Sequence, residues 1–156
     1  MNEQQIVRTS SGNEQKNVSI LDSFISIPYV VELQKLELVK TISACLLMAR
    51  LEILFSENPE YVCKYKQPCL AQQKLGGLSF IEELGISRSV IDAAIREIVY
   101  THRTAKGFRL AEDKFKGKFY CRYVDVLDEN KTYYFRNHEL VNRCLEELKA
   151  NTSVQK

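Results

Sequence analysis

Hydrophobic positions change their spacing several times along the chain, and each change marks a new element. Residues 1–19 are polar, rich in Asn, Gln and Ser, and balanced in charge, which predicts a disordered arm ahead of one folded unit over 20–149. Over 20–31, Phe24, Ile25 and Ile27 alternate with polar residues before Pro28, the pattern of a short extended segment leading into a helix. From residue 32 to about 55 the apolar positions Val39, Ile42, Leu46, Ala49 and Ile53 recur at helical spacing and predict a central core helix. Asn58-Pro59, Pro68 and Gly76-Gly77 then punctuate 56–77, which reads as loops around at most a short helix from Cys69 to Lys74.

The segment 78–98 is the most specific. Ser79 and Glu82 have the spacing of a capping box, in which each side chain satisfies an amide of the helix start. Phe80, Ile81 and Leu84 give this short helix one apolar face, and Gly85 stands where a left-handed residue is needed to end it. Ser87 offers a second N-cap before Ile91, Ala94, Ile95 and Ile98, which repeat every three or four residues. Two helices joined by a short Gly-containing turn describe a helix-turn-helix. With its isoleucines inward, the second helix displays Ser87, Arg88, Ser89, Asp92, Ala93 and Arg96, the positions that meet base edges in this motif.

After Tyr100 the period becomes strand-like over 107–110, 118–127 and 131–136, with Gly117 and 128–130 at the junctions. This predicts a small antiparallel sheet with one or two wing-like hairpins. Asn137 is placed to cap a final helix over 138–149 whose face of Leu140, Val141, Cys144, Leu145 and Leu148 packs on the core or serves a homodimer. Residues 150–156 read as a disordered tail. The fold class is α+β: a winged helix-turn-helix with a small sheet and a C-terminal helix.

At 156 residues and 45% hydrophobic composition the chain suits one domain. Its net charge is only +2, yet 103–123 holds seven basic residues against two acidic ones. Arg103, Lys106, Lys114, Lys116, Lys118 and Arg122 are therefore the candidate phosphate contacts, with Lys116-Gly-Lys118 at a hairpin tip nearest the DNA backbone. The five cysteines lack a Cys-x-x-Cys pair or a nearby His, which reads as reduced, mostly buried thiols with no metal. No secretory signal opens the chain and no apolar run approaches bilayer length, so a cytoplasmic, membrane-free location is expected.

The segment 84–98 resembles the helix-turn-helix of bacterial and phage winged-helix regulators. With Phe24-Ile-Ser-Ile-Pro28 ahead of a long helix, residues 24–136 are similar to the N-terminal winged-helix domains of phage replisome organisers and plasmid replication initiators. The resemblance implies sequence-specific binding of double-stranded DNA at an origin, with replication proteins as partners, on a phage, plasmid or other mobile element. A transcriptional repressor is the close alternative. Asp92-Ala93 departs from the Ser-Arg or Thr-Arg often found in such helices, which keeps open a protein-interaction module without DNA binding.

The common catalytic motifs are absent, and neither Glu82-Glu83 nor Glu146-Glu147 has a companion His or Lys, so solvated helix surface is the expected role of both pairs. Tyr133-Tyr134 reads as strand aromatics on opposite faces, since His102 and His138 are too far apart in the chain for the His-x-His site of a nickase. A non-enzyme with no cofactor and no small-molecule substrate is expected.

Overall fold

Thr41 caps a helix: its hydroxyl accepts from the Ala44 amide at 3.2 Å, and residues 38–40 just before it are not helical. The structure, a computed structural model, describes residues 38–154, with side chains as far as 150. The expected helix over 32–55 is thus the shorter α1 (Ile42–Glu57), and its expected start lies outside the described residues. Glu97 fixes the entry, accepting from the Lys40 amide at 2.5 Å and the Thr41 hydroxyl at 2.8 Å. The 20–31 segment, the 1–19 arm and the lower domain boundary also lie outside.

Among the described residues, α1 is followed by β1 (Val62–Cys63), α2 (Leu70–Leu75), α3 (Phe80–Leu84), α4 (Arg88–Ile98), β2 (Val99–Thr101), α5 (Ala105–Leu110), β3 (Tyr120–Asp125), β4 (Lys131–Arg136) and α6 (His138–Val154). The fold is α+β. Its four-stranded sheet has the order β1-β4-β3-β2, with β2 parallel to β3 and the other pairs antiparallel, so the expected all-antiparallel sheet is corrected to a mixed one. A parallel neighbour needs a crossover, and α5 with the loop after it supplies that crossover.

The alternation of strand side chains sorts the sheet into two faces. Tyr120, Arg122, Tyr134 and Arg136 point toward the helices: Tyr120 stacks on Phe55 of α1, and Tyr134 meets Phe80 of α3 edge-on. α1 is buried around most of its circumference by α3, α4, α6 and this sheet face, because Ala44, Cys45, Leu47, Met48, Ala49, Leu51 and Phe55 leave no wide polar side. Tyr123, Tyr133 and Phe135 point the other way, where Tyr123 and Phe135 pack on Phe108 of α5 and Tyr133 packs on Tyr123. Tyr133 and Tyr134 therefore do pack on opposite faces.

Two expected strand features are corrected. Residues 107–110 form part of α5, because the Thr104 hydroxyl accepts from the Gly107 amide at 2.9 Å and nucleates a helical turn. Lys116-Gly-Lys118 is a tight turn ahead of β3, with Lys116 and Gly117 at positive φ and the Lys118 amide bonded to the Phe115 carbonyl. The hairpin tip is instead 126–130, where Glu129 and Asn130 take positive φ. At the C-terminus, Asn137 does accept from the Leu140 amide at 3.2 Å, and α6 runs past the expected end at 149 to Val154, into the segment read as a disordered tail. Val141, Cys144 and Leu148 are buried, so this face of the helix packs on the core.

All five cysteines are free. Burial pushes the Cys45, Cys121 and Cys144 thiols up to about 12, so almost no thiolate, the reactive form, exists at neutral pH. In native protein these three are expected to resist a thiol-specific reagent that modifies half-buried Cys63 and Cys69, and all five to react in denaturant. Simultaneous titration of all five thiols without denaturant would contradict that burial. Among the described residues no helix is long and apolar enough to cross a membrane.

Candidate functional site

The helix pair α3–α4 is built as its sequence requires. The Glu82 carboxylate accepts from the Ser79 amide at 3.1 Å and hydroxyl at 2.7 Å, bonds that hold it below its ordinary value. Gly85 ends α3 in the left-handed conformation at φ 64°, and the Ser87 hydroxyl accepts from Val90 to start α4. Glu83 is not simply solvated surface: it takes Arg50 at 2.7 Å and buried Lys64 at 2.6 Å, while the Lys64 ammonium also donates to the Leu78 carbonyl. These bonds lock α3 to α1 and to the segment after β1.

On α4, Ile91, Ala94, Ile95 and Ile98 are buried, and Ser87, Arg88, Ser89, Ala93 and Arg96 are exposed on the opposite side. Asp92 is half-buried at the border of that face and bound by Lys66 at 2.7 Å. That hydrogen bond, with the charges of Lys66, Arg88 and Arg122, holds its carboxyl below the ordinary value, so it is a compensated anion. Lys66 has no signal in its own loop. Its position comes from the backbone, because the Phe80 and Ile81 amides at the start of α3 donate to the Tyr65 and Lys66 carbonyls at 3.2 and 3.1 Å. The result is a cluster of Lys66, Arg88, Asp92 and Arg122 beside the exposed face of α4.

The basic residues of 103–123 do not form one surface. Lys118 donates to the Arg96 and Glu97 carbonyls at 3.2 and 3.0 Å, satisfying the C-terminal end of α4. Lys40, Lys116 and Lys118 line a recess of about 500 Å³ at that end. Arg122 lies on the helical face of the sheet, donating to Thr101 at 2.9 Å and to the Tyr134 hydroxyl at 3.3 Å. Lys106 and Arg109 ride on α5, across the sheet from α4, and Arg103 precedes them. Lys114 is committed locally, donating to the Phe108 carbonyl at 2.5 Å and lying over the Phe108 ring. Thus Lys116, Lys118 and Arg122 border α4, whereas Lys106, Arg109 and Lys114 belong to the other side.

At the tip of the β3–β4 hairpin the nearby cations are held by acidic side chains. Its side chains include Val126, Leu127, Asp128 and Glu129, with Asp128 bound to Lys131 at 3.1 Å and Glu129 near Lys74 at 3.5 Å. Among the described residues no group of three or more His, Cys, Asp or Glu is placed to hold a metal ion. No protein-family model, curated protein or solved structure matches this chain.

Proposed function

We propose that the chain is a winged helix-turn-helix domain that binds double-stranded DNA in a sequence-specific manner. The observation that carries this reading is the outer face of α4: a polar surface with Arg88 and Arg96 exposed, bordered by Lys66 and Arg122 on one side and by Lys116 and Lys118 at its C-terminal end. An α-helix fits the major groove, and the N-terminal residues of such a helix reach base edges while flanking cations meet phosphates. The order α1-β1-α2-α3-α4-β2-α5-β3-β4, with β1 beside β4, supports the winged arrangement, to which α2 is added after β1 and β2 and α5 after the reading helix.

In this reading Arg88, Ser89 and Arg96 address bases, with Ser87 at the helix start, and Lys66, Lys116 and Arg122 address phosphates. Asp92 orients Lys66, leaving its second oxygen to accept from a cytosine amino group. Arg103, Lys106 and Lys114 have no part in it. The use we favour is origin binding in replication on a mobile element, and operator binding by a repressor employs the same surface.

Titration of a labelled duplex by fluorescence anisotropy at several salt concentrations tests the reading. Each neutralised phosphate contributes about −0.9 to the slope of log affinity against log salt, so three to four contacts predict a slope near −3. Absence of binding at low salt would refute it.

A further inference from the structure

Two exposed apolar features have no part in DNA binding. At the β3–β4 tip Val126 is 73% and Leu127 95% exposed. The tip is a shaped knob and not a frayed loop: the Leu127 amide donates to the Asp125 carboxylate at 3.2 Å, the Asp128 amide to the Asp125 carbonyl at 3.1 Å and the Lys131 amide to the Asp128 carbonyl at 3.0 Å. Asp125, Asp128 and Glu129 outnumber the cations there, Lys131 bound to Asp128 at 3.1 Å and Lys74 near Glu129 at 3.5 Å, so its surroundings are net acidic. On α5, Leu110 is 72% exposed, with exposed Lys106 one turn before it and exposed Arg109 beside it. Each of these two surfaces of one chain centres on an exposed leucine, and their net charges are opposite in sign, the tip acidic and α5 basic ahead of Glu112 and Asp113, while α5 lies across the sheet from the proposed DNA-reading face.

We infer that the chain self-associates head to tail, the hairpin tip of one copy seating against α5 of the next, with Leu127 on Leu110 and Asp128 and Glu129 facing Lys106 and Arg109. Charge complementarity selects a second copy as the occupant, since each copy carries both halves of the contact. The halves differ, so the contact is heterologous and repeats from copy to copy instead of closing on a two-fold axis. Its few side chains make it weak and dependent on concentration and salt. Along DNA with repeated sites, such a contact lets neighbouring copies bind cooperatively.

Sedimentation equilibrium of the full chain without DNA tests this inference separately from the DNA-binding reading. The weight-average mass is expected to rise above that of the monomer with protein concentration, and less so at high salt. Leu127→Lys, which sets a cation against basic α5, and Leu110→Asn, which removes the apolar centre there, are each expected to abolish the rise while leaving the circular dichroism spectrum unchanged. Mixed together, the two variants retain one intact tip and one intact α5 and are expected to form a heterodimer and nothing larger. A parent chain that stays monomeric at sub-millimolar concentration would overturn the inference, as would association that survives both substitutions. A mixture that fails to associate would overturn its head-to-tail geometry.

Discussion

Glu52→Ala is expected to destabilise the fold by about 3–5 kcal/mol, the cost of leaving a buried charge without its partner. Glu52 is 6% exposed on α1, and its carboxylate accepts from Arg136 Nε at 3.0 and 3.1 Å and from Nη2 at 2.8 Å. It also accepts from the Tyr120 hydroxyl at 2.7 Å. Burial first, and then the adjacent Glu52 carboxylate, push the Tyr120 phenol well above its ordinary value, so it remains a donor at any physiological pH. Alanine strands both donors against the core, although Arg136 keeps Asn142 at 2.8 Å. Glu52→Gln retains an acceptor and is expected to cost less, about 1–3 kcal/mol. Glu139→Ala, which breaks the exposed Arg143–Glu139 pair at 2.9 Å, is the contrast, and is expected to cost under about 0.5 kcal/mol. Urea denaturation read as a midpoint shift at constant slope measures all three. A Glu52→Ala variant within about 1 kcal/mol of the parent would show that Arg136 regains solvent or another acceptor.

This network also shows why part of the fold was legible in the sequence and part was not. The α3–α4 pair rests on local rules: a Ser–Glu box, a glycine in the left-handed region and a serine cap all act within four residues, and each is where its spacing predicts. α5 was open to the same local reading through Thr104, but the aromatic and β-branched content around it suggests strand more strongly. The Glu52–Arg136–Tyr120 triad joins residues 84 and 68 positions apart, and no pattern in α1 sets Glu52 apart from a solvated glutamate. The candidate site divides in the same way. The exposed face of α4 follows from its own periodicity, whereas Lys66 reaches it only through the pairing of the segment after β1 with the start of α3. The basic run of 103–123 reads as one patch in sequence, but an inserted helix carries part of it through the plane of the sheet to the other face.

Under the proposed DNA-binding reading, that division of the basic residues predicts a pattern of substitution effects. Arg88→Ala is expected to weaken binding to a selected site by about 1–3 kcal/mol and to relax the preference for one base, as loss of a side chain on a base edge does. Lys66→Ala is expected to weaken selected and random duplexes alike and to lower the salt slope by about 1, the mark of a phosphate contact. Asp92→Asn separates the two roles of its carboxylate: without the 2.7 Å ion pair Lys66 is no longer fixed, and removal of the negative charge favours every polyanion. Random-duplex affinity should therefore rise while the ratio of selected to random affinity falls. Lys106→Ala, across the sheet on α5, should change neither affinity nor slope. A result in which Lys106→Ala weakens DNA binding as much as Lys66→Ala would place the duplex on the α5 side of the sheet and remove α4 as the reading helix.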